Sequence, residues 1–199
     1  RARVAKSSRR RSAPLSPPMV ISERGTNLAE GAGSSCVDLG DSARLALMIT
    51  PRGSDQVRDQ IREVLSVIRT ILEKQPQPMA VTVQTVFLQD VRDQRECERA
   101  FAAFYGPRLP VTNFVLQPPC CGAALAVDAS AIGGKDVRVE HFGPQPLSVS
   151  YDSVRWVYCA GITPDASLRG VYPQTLDALA RLRAALALTG SSFQRVVRT

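Results

Sequence analysis

The segment from residue 54 to residue 117 constrains the fold most, because its pattern predicts a helix, a strand, a second helix and a second strand in succession. In its first part, apolar residues recur at spacings of three and four between charged and amide residues, which indicates a helix of about six turns with one apolar face. Ser54 is expected to cap this helix, and Lys74 to lie in its last turn before Pro76 and Pro78 end it. The apolar face consists of Val57, Ile61, Val64, Leu65, Ile68, Ile71 and Leu72.

The rest of this segment predicts a sheet covered by helices. Residues 79–88 are rich in β-branched residues, and both of their faces are partly apolar, which predicts a covered strand. The second helix follows within residues 92–106, and a further strand is predicted at residues 111–117. The apolar stripe of the second helix consists of Cys97, Ala100, Phe101 and Phe104. This order predicts an α+β domain with helices on a sheet.

Further elements are predicted on both sides of this segment. Residues 122–132 are predicted to form a hairpin with residues 111–117 through a proline-containing turn. The other predictions are a strand at residues 19–24, a loop at 25–35, strands at 43–50 and 154–162, a connector with one short strand at 135–150, a helix at 173–188 closed by Gly190, and the start of a strand at 193–199.

The net charge of +7 lies almost entirely at the N-terminus. Residues 1–18 contain six Arg and Lys residues, and no acid occurs before Glu23, so the remainder is near neutral. This segment, rich in Arg, Ser and Pro, is predicted to be a disordered basic tail. It is typical of an organelle transit peptide or, in the preferred interpretation, of an expression remnant or mis-assigned start with Met19 as the first residue. The near-neutral remainder argues against nucleic-acid binding.

The cysteine and histidine content excludes several kinds of chemistry. Five cysteines without a CxxC spacing argue against a disulfide framework and a zinc site, and predict reduced thiols in a cytoplasmic protein. The single histidine, His141, argues against histidine-based metal or triad chemistry within one chain. The cysteine and histidine content therefore predicts no metal site. No apolar run reaches membrane-spanning length, so no membrane partner is predicted.

Two parts of the sequence show the same order of elements. ARLALMITPRG, a helix and VTVQTVFLQD correspond to RWVYCAGITPD, the helix at residues 173–188 and SSFQRVVRT. A period of roughly 115 residues predicts two copies of one supersecondary unit. The second copy lacks its second helix and its last two strands.

These motifs, together with VTVQTVFLQDVRDQRECERAFAAFYG, LPVTNFVLQPP and GAALAVDASAI, resemble the Rid family, the YjgF-like reactive-intermediate deaminases also described as endoribonuclease L-PSP. The resemblance extends from about residue 40 onward and is strongest for tandem, two-unit members. It implies an α+β fold, in which a chorismate mutase-like β-sheet has two helices packed on one face, in tandem copies of which the second is truncated. It also implies trimeric or pseudo-trimeric association, ligand clefts between neighbouring units, and cofactor-free hydrolysis of enamines and imines.

The resemblance divides the chain into the basic tail at residues 1–18, a first Rid-like unit at 19–135 and the N-terminal half of a second unit at 136–199. A truncated second unit would leave apolar surface on the helix at 173–188 and the strand at 154–162. The hypothesis is that the chain is a fragment of a longer protein, or that another chain completes this sheet by strand addition.

The resemblance also assigns candidate site residues. The family arginine that binds the substrate carboxylate falls on Thr112, so its charge-assisted bidentate contact is missing. The family's catalytic acid falls at or near Ala126, and Asp128, two residues further on and on the same strand face, is the catalytic candidate that remains. Thr112 and the adjacent Asn113 are predicted substrate-binding residues.

Small residues and thiols supply the remaining candidates. Cys120 and Cys121 lie at a turn that should border the cleft, where they would act as nucleophiles or only shape the turn. Cys159, Ala160 and Gly161 match a small-residue and glycine pair whose backbone amides line the ligand cleft in the family; close packing is the alternative.

The favoured hypothesis is a Rid-like protein that binds a small imine, enamine, keto or carboxylate metabolite in inter-subunit clefts, with hydrolytic deamination left open. The alternative is a catalytically degenerate structural or regulatory module that binds a metabolite, which the missing arginine favours. A chorismatase-like lyase and a ribonuclease are less favoured. The expected partners are a small molecule and either two further copies of the chain, in a homo-trimer, or another chain that completes the assembly. No cofactor is expected.

Overall fold

The computed structural model describes residues 32–52, 54, 56–120, 122–143 and 145–197. Within these residues the chain forms eight strands and three α-helices, which confirms the predicted α+β class. In chain order they are β1 (Ala32–Asp38), β2 (Ser42–Ile49), α1 (Val57–Glu73), β3 (Met79–Leu88), α2 (Gln94–Tyr105), β4 (Val111–Leu116), β5 (Leu125–Gly134), β6 (Arg138–His141), β7 (Pro146–Tyr151), β8 (Val154–Cys159) and α3 (Val171–Leu188).

The first five strands form one mixed sheet in the order β1-β2-β5-β3-β4. Neighbouring strands are antiparallel except β3 and β4, which run parallel because α2 connects them as a crossover. α1 and α2 cover one face of this sheet, as predicted, and bury the main core. The helix residues in this core include Ile61, Val64, Leu65, Ile68 and Ile71 of α1 and Cys97 and Phe101 of α2.

The start of α1 differs from the prediction, because Gln56 and not Ser54 is its N-cap residue. Ser54 still supports the helix start, since its Oγ accepts a hydrogen bond from the Gln56 N–H at 3.0 Å. The Ser54 carbonyl also accepts one from Gln60 Nε2 at 2.6 Å. Lys74 is the C-cap residue and does not belong to the last turn. Both predicted polar residues therefore lie outside the helix, Ser54 two residues before the N-cap and Lys74 at the C-cap.

The predicted hairpin between β4 and β5 is wrong. β4 pairs in parallel with β3, whereas β5 lies between β2 and β3 and pairs antiparallel with both. β5 carries buried apolar residues on both faces, such as Val127 on the helix side and Ile132 on the other. A strand that is apolar on both faces buries most surface in the interior of a sheet, which explains its central position.

Strands β6, β7 and β8 form a second, antiparallel sheet in that order. Two strands therefore begin within residues 135–150, where one was predicted. β7 and β8 are joined by Asp152 and Ser153, which have φ angles of 47° and 62°. This two-residue loop with positive φ matches a type I′ turn and closes a tight hairpin.

α3 packs on the second sheet through buried Ala185 and Leu186. The helix begins two residues before its predicted start and ends at Leu188, followed at Gly190 by a φ of 70°, as the C-terminal glycine predicted. The strand predicted from residue 193 is wrong, because Phe193–Arg195 forms a 3-10 turn. Its hydrogen bonds are local, with the Arg195 N–H donating to the Ser192 carbonyl at 3.0 Å.

At the N-terminal side, β1 replaces the last part of the loop predicted at residues 25–35 and pairs with β2 along seven residues. The basic tail at residues 1–18 and the strand predicted at residues 19–24 lie outside the described residues. The division into two units at residues 135 and 136 falls between β5 and β6 and stays a prediction.

The second sheet packs on the face of the first sheet that is opposite to α1 and α2. A separate apolar cluster forms there from Val111 and Ile132 of the first sheet and Leu147 and Val149 of the second, joined by Ala160. This packing brings the start of β4 beside the chain that leaves β8, and so positions the candidate site.

Candidate functional site

The two sheets meet in a hydrogen-bonded junction at Asn113 and Gly161. Asn113 Oδ1 accepts a hydrogen bond from the Gly161 N–H at 3.2 Å, and Gln145 Nε2 donates to the Gly161 carbonyl at 2.7 Å. Gly161 has a φ of 65°, and a Cβ at this position would lie 3.3 Å from the Thr112 carbonyl oxygen. The positive φ therefore favours glycine here, and a side chain would also press on the Thr112 carbonyl oxygen.

A groove with a volume of about 540 Å³ extends from this junction along β8. It contains four of the predicted site residues, namely Asn113, Cys159, Ala160 and Gly161. Its other lining residues are 154–157 and 162, Leu182 and Leu186 of α3, and residues 190, 191 and 195–197. Arg155 and Arg195 are the charged residues in this described lining, which contains no carboxylate, so the groove favours an anionic ligand.

The side chain of Thr112 points away from this groove, on the face of the first sheet that carries the helices. Its Oγ1 accepts a hydrogen bond from Gln84 Nε2 at 3.0 Å and donates to the Pro110 carbonyl at 3.0 Å. The Gln84 Oε1 in turn accepts from the Tyr105 hydroxyl at 3.1 Å. The only proton of Thr112 Oγ1 is thus committed, which leaves no donor for a substrate carboxylate.

Asp128 lies on the opposite face of the same sheet and is exposed. The strand registers pair Asp128 with Thr85 and Thr85 with Asn113, so these three polar residues form one row across β5, β3 and β4. With strands about 4.8 Å apart, the Asp128 backbone lies about 10 Å from that of Asn113. Ala126, at or near which the family resemblance predicts an acid, is buried. Asp128 therefore lies near the junction but is separated from it by one strand.

The cysteines differ widely in environment. Cys120 is exposed, while Cys121 lies outside the described residues. Burial raises the pKa of the Cys159 thiol in the groove, which disfavours its thiolate. Cys97 is fully buried in the core; burial, with nearby Asp93 and Glu96, raises the pKa of its thiol to about 12. The environments of Cys97 and Cys159 therefore do not activate these thiols as nucleophiles, and the role of Cys120 stays a prediction.

We expect alkylation of the native protein to distinguish the exposed thiol of Cys120 from the buried thiol of Cys97. At pH 8 a thiol of pKa about 12 is thiolate in roughly one molecule in ten thousand, and Cys97 is also sterically shielded. Iodoacetamide should therefore modify Cys120 and leave Cys97 unmodified until denaturant is added. Peptide mapping by mass spectrometry of native and urea-treated protein measures this difference. Rapid labelling of Cys97 in the native protein would contradict the core position of α2.

Sequence reasoning missed Arg44, which links the two sheets. Its guanidinium carbon lies 5.2 Å from the ring centroid of Tyr151 and 5.8 Å from that of Trp156, and Nη2 donates to the Tyr158 hydroxyl at 3.5 Å. Burial raises the pKa of Tyr158, so this hydroxyl stays neutral. No sequence pattern signalled Arg44, because its partners in β7 and β8 lie far along the chain. These contacts indicate that Arg44 holds the sheets together.

Two negative findings apply to the described part of the chain. It contains no group of three or more His, Cys, Asp or Glu side chains that could hold a metal ion. None of its helices combines the length and the apolar character needed to cross a membrane.

Fold and site together define an α+β protein with a ligand-sized groove where two sheets meet. No protein-family model matches the sequence, and no curated protein matches it. The solved structures to which the chain is similar include the YjgF gene product of E. coli, at 18% identity, a TM-score of 0.38 and coverage of 50% of this chain and 85% of that one. A YjgF family member from Neisseria meningitidis is 15% identical, with a TM-score of 0.39 and coverage of 46% and 86%. Yeast Mmf1 is 13% identical, with a TM-score of 0.41 and coverage of 62% and 98%. The YjgF structures belong to the family that the sequence motifs resemble.

Proposed function

We propose that this protein binds a small anionic keto or carboxylate metabolite in the groove at the junction of the two sheets, without hydrolysing it. The observation that carries the proposal is the composition of the groove. Asn113 and Gly161 join the sheets at one end, Arg155 and Arg195 supply positive charge, and the described lining has no carboxylate to neutralise them. A concave apolar site with a few convergent polar groups is typical of small-molecule binding.

The positions of Thr112 and Asp128 favour binding over deamination. An imine hydrolase of the resembled type needs a guanidinium on the substrate carboxylate and an acid that positions water beside the same substrate. The Thr112 hydroxyl is bonded within the helix side of the sheet, whereas Asp128 is on the other face. Among the described residues, no hydrogen bond or ion pair positions the Asp128 carboxylate. The two groups therefore do not converge on one ligand.

Pyruvate and 2-oxobutanoate are suitable probes, since each combines a carboxylate with a ketone. Either is expected to raise the melting temperature of the full chain, because a ligand that binds only the folded state stabilises it. Arg195→Gln should raise the Kd, measured by calorimetry, about tenfold or more through loss of a charge-assisted contact. Arg99→Gln on α2 is the matched control, outside the groove, and should leave the Kd unchanged. Equal Kd values for both variants would refute the site.

A separate assay tests the proposal that the protein does not hydrolyse its ligand. Freshly generated 2-aminoacrylate should release ammonia at the uncatalysed rate in the presence of the protein, and Asp128→Ala should make no difference. Catalysed release that is lost in Asp128→Ala would replace the binding proposal with a deaminase whose catalytic acid is Asp128. A lyase or a ribonuclease has no observation in its favour here. From the family resemblance we also propose a trimeric or strand-completed assembly and a cytoplasmic location.

A further inference from the structure

The junction at the end of the groove fixes the orientation of the Asn113 side-chain amide. A carboxamide has an oxygen that only accepts hydrogen bonds and a nitrogen that only donates them. The Gly161 N–H, whose nitrogen lies 3.2 Å from Asn113 Oδ1, is a donor and must therefore face the amide oxygen. The opposite orientation would bring Nδ2 against another donor. The amide is thus held with Oδ1 toward Gly161 and Nδ2 directed elsewhere.

The backbone of Gly161 is held by contacts that do not involve Asn113. The preceding residue, Ala160, is 6% exposed and belongs to the apolar cluster between the two sheets. The Gly161 carbonyl accepts a hydrogen bond from Gln145 Nε2 at 2.7 Å. We therefore expect Gly161 to keep its position when the side chain at residue 113 is changed.

Asn113 Nδ2 is a donor that no other described residue uses. The Asn113 side chain is half-buried and lines the groove together with Cys159 and Gly161. Its oxygen bonds to Gly161, whereas its nitrogen makes no hydrogen bond within the described part of the chain. Partial burial limits the access of water to this nitrogen, so an acceptor on a bound molecule would satisfy it.

We propose that Asn113 makes the groove specific for ligands with a carbonyl oxygen, which accepts a hydrogen bond from Nδ2. This inference rests on the proposed function, in which the positive charge of Arg155 and Arg195 attracts the carboxylate of the same ligand. The neutral amide matches the uncharged ketone oxygen of an oxo acid. An ammonium group in that place has no lone pair and would face Nδ2 as a second donor, so the groove should reject the corresponding amino acid.

Pyruvate and L-alanine test this specificity, because they share a carboxylate and a three-carbon skeleton and differ at the ketone. In calorimetric titrations of the full chain, pyruvate is expected to bind about tenfold or more tightly than L-alanine. Equal Kd values for the two ligands would overturn the proposal.

Asn113→Asp is the variant that separates recognition from structure. The aspartate keeps one oxygen for the Gly161 N–H but presents a second, negatively charged oxygen in place of Nδ2. It should weaken pyruvate binding about tenfold or more and strengthen binding of L-alanine, whose ammonium then meets a carboxylate. If Asn113 only joined the two sheets, this variant would bind both ligands as the original chain does.

Two further variants complete the set. Asn113→Ala removes the donor and should raise the Kd of pyruvate about threefold to tenfold, with little effect on L-alanine. Thr85→Ala is the matched control, because Thr85 pairs with Asn113 in the strand register but is not among the lining residues of the groove. Its Kd for pyruvate should stay within about twofold of the original value. Circular dichroism verifies folding, and Asn113→Ala decides the test if Asn113→Asp does not fold.

The outcomes distinguish this inference from the proposed function. Pyruvate binding that depends on Arg195 but is unchanged in the Asn113 variants would overturn the inference alone. Equal weakening of both ligands in the Asn113 variants would show that Asn113 only stabilises the junction, which also overturns it. No binding of pyruvate to the original chain would refute the proposed function and this inference with it.

Discussion

Ile68→Ala is expected to lower the free energy of unfolding by about 2–5 kcal/mol, whereas Leu179→Ala should change it by less than about 1 kcal/mol. Both residues lie on the apolar face of a helix that covers a sheet. Ile68 is 0% exposed in the core between α1 and the first sheet, so its truncation leaves a cavity. Leu179 is 47% exposed on α3, so its truncation removes little buried surface. Urea denaturation of the full chain, followed by circular dichroism, measures both values.

This pair of variants also tests whether the apolar face of α3 is covered in solution. If a partner copy or another segment of the chain covers α3, Leu179 becomes a buried residue. Its truncation would then cost as much as that of Ile68. Equal losses in the two variants at several protein concentrations would show that the α3 face is covered within one chain. A loss for Leu179→Ala that appears only at high concentration would show that it is covered by association.

Gln84→Leu is expected to destabilise the protein by about 1–3 kcal/mol although it conserves side-chain volume. Gln84 is 1% exposed, and it accepts a hydrogen bond from the Tyr105 hydroxyl and donates one to Thr112 Oγ1. Leucine leaves the Tyr105 hydroxyl and the Thr112 oxygen without these partners. The Tyr105 hydroxyl is buried, and this burial raises the pKa of Tyr105. Chemical denaturation of the single variant measures the loss.

A double-mutant cycle with Tyr105→Phe separates this hydrogen bond from packing. Once Gln84 is leucine, removal of the Tyr105 hydroxyl should cost nothing further or restore stability, because no unpaired donor remains. Additive losses in the double variant would mean that the two side chains act independently. The cycle would then refute the hydrogen bond between the Tyr105 hydroxyl and Gln84 as a source of stability.

The elements that the sequence predicted well are those defined by local periodicity. The stripe on α1 and the alternation of β3 are properties of neighbouring residues, and both elements lie where those patterns place them. The pairing of β4 and β5 was predicted from their proximity in the chain and was wrong. Strand order depends on which surfaces are buried together, and no short window of sequence contains that information.

In the candidate site, too, some features could be predicted from the sequence and others depended on the tertiary structure. The motif that ends in Gly161 was predicted to line a ligand cleft or to allow close packing. The structure shows a close approach of Gly161 to the Thr112 carbonyl oxygen, and the role in a ligand cleft stays a prediction. Thr112 and Asn113 are adjacent in sequence, yet they lie on opposite faces of β4 because side chains alternate along a strand. Arg155 and Arg195 were not predicted, since they line one groove only when α3 and the following turn fold back along β8.

The sequence by itself determined the α+β class, the helices, most strands and the small-residue motif at 159–161, because these depend on residue type and local spacing. Only the tertiary structure decided the central place of β5, the two faces on which Thr112 and Asp128 lie, and the groove along β8. These features arise from contacts between residues far apart in the chain, where burial of apolar surface and pairing of backbone groups select one arrangement among several that the local pattern allows.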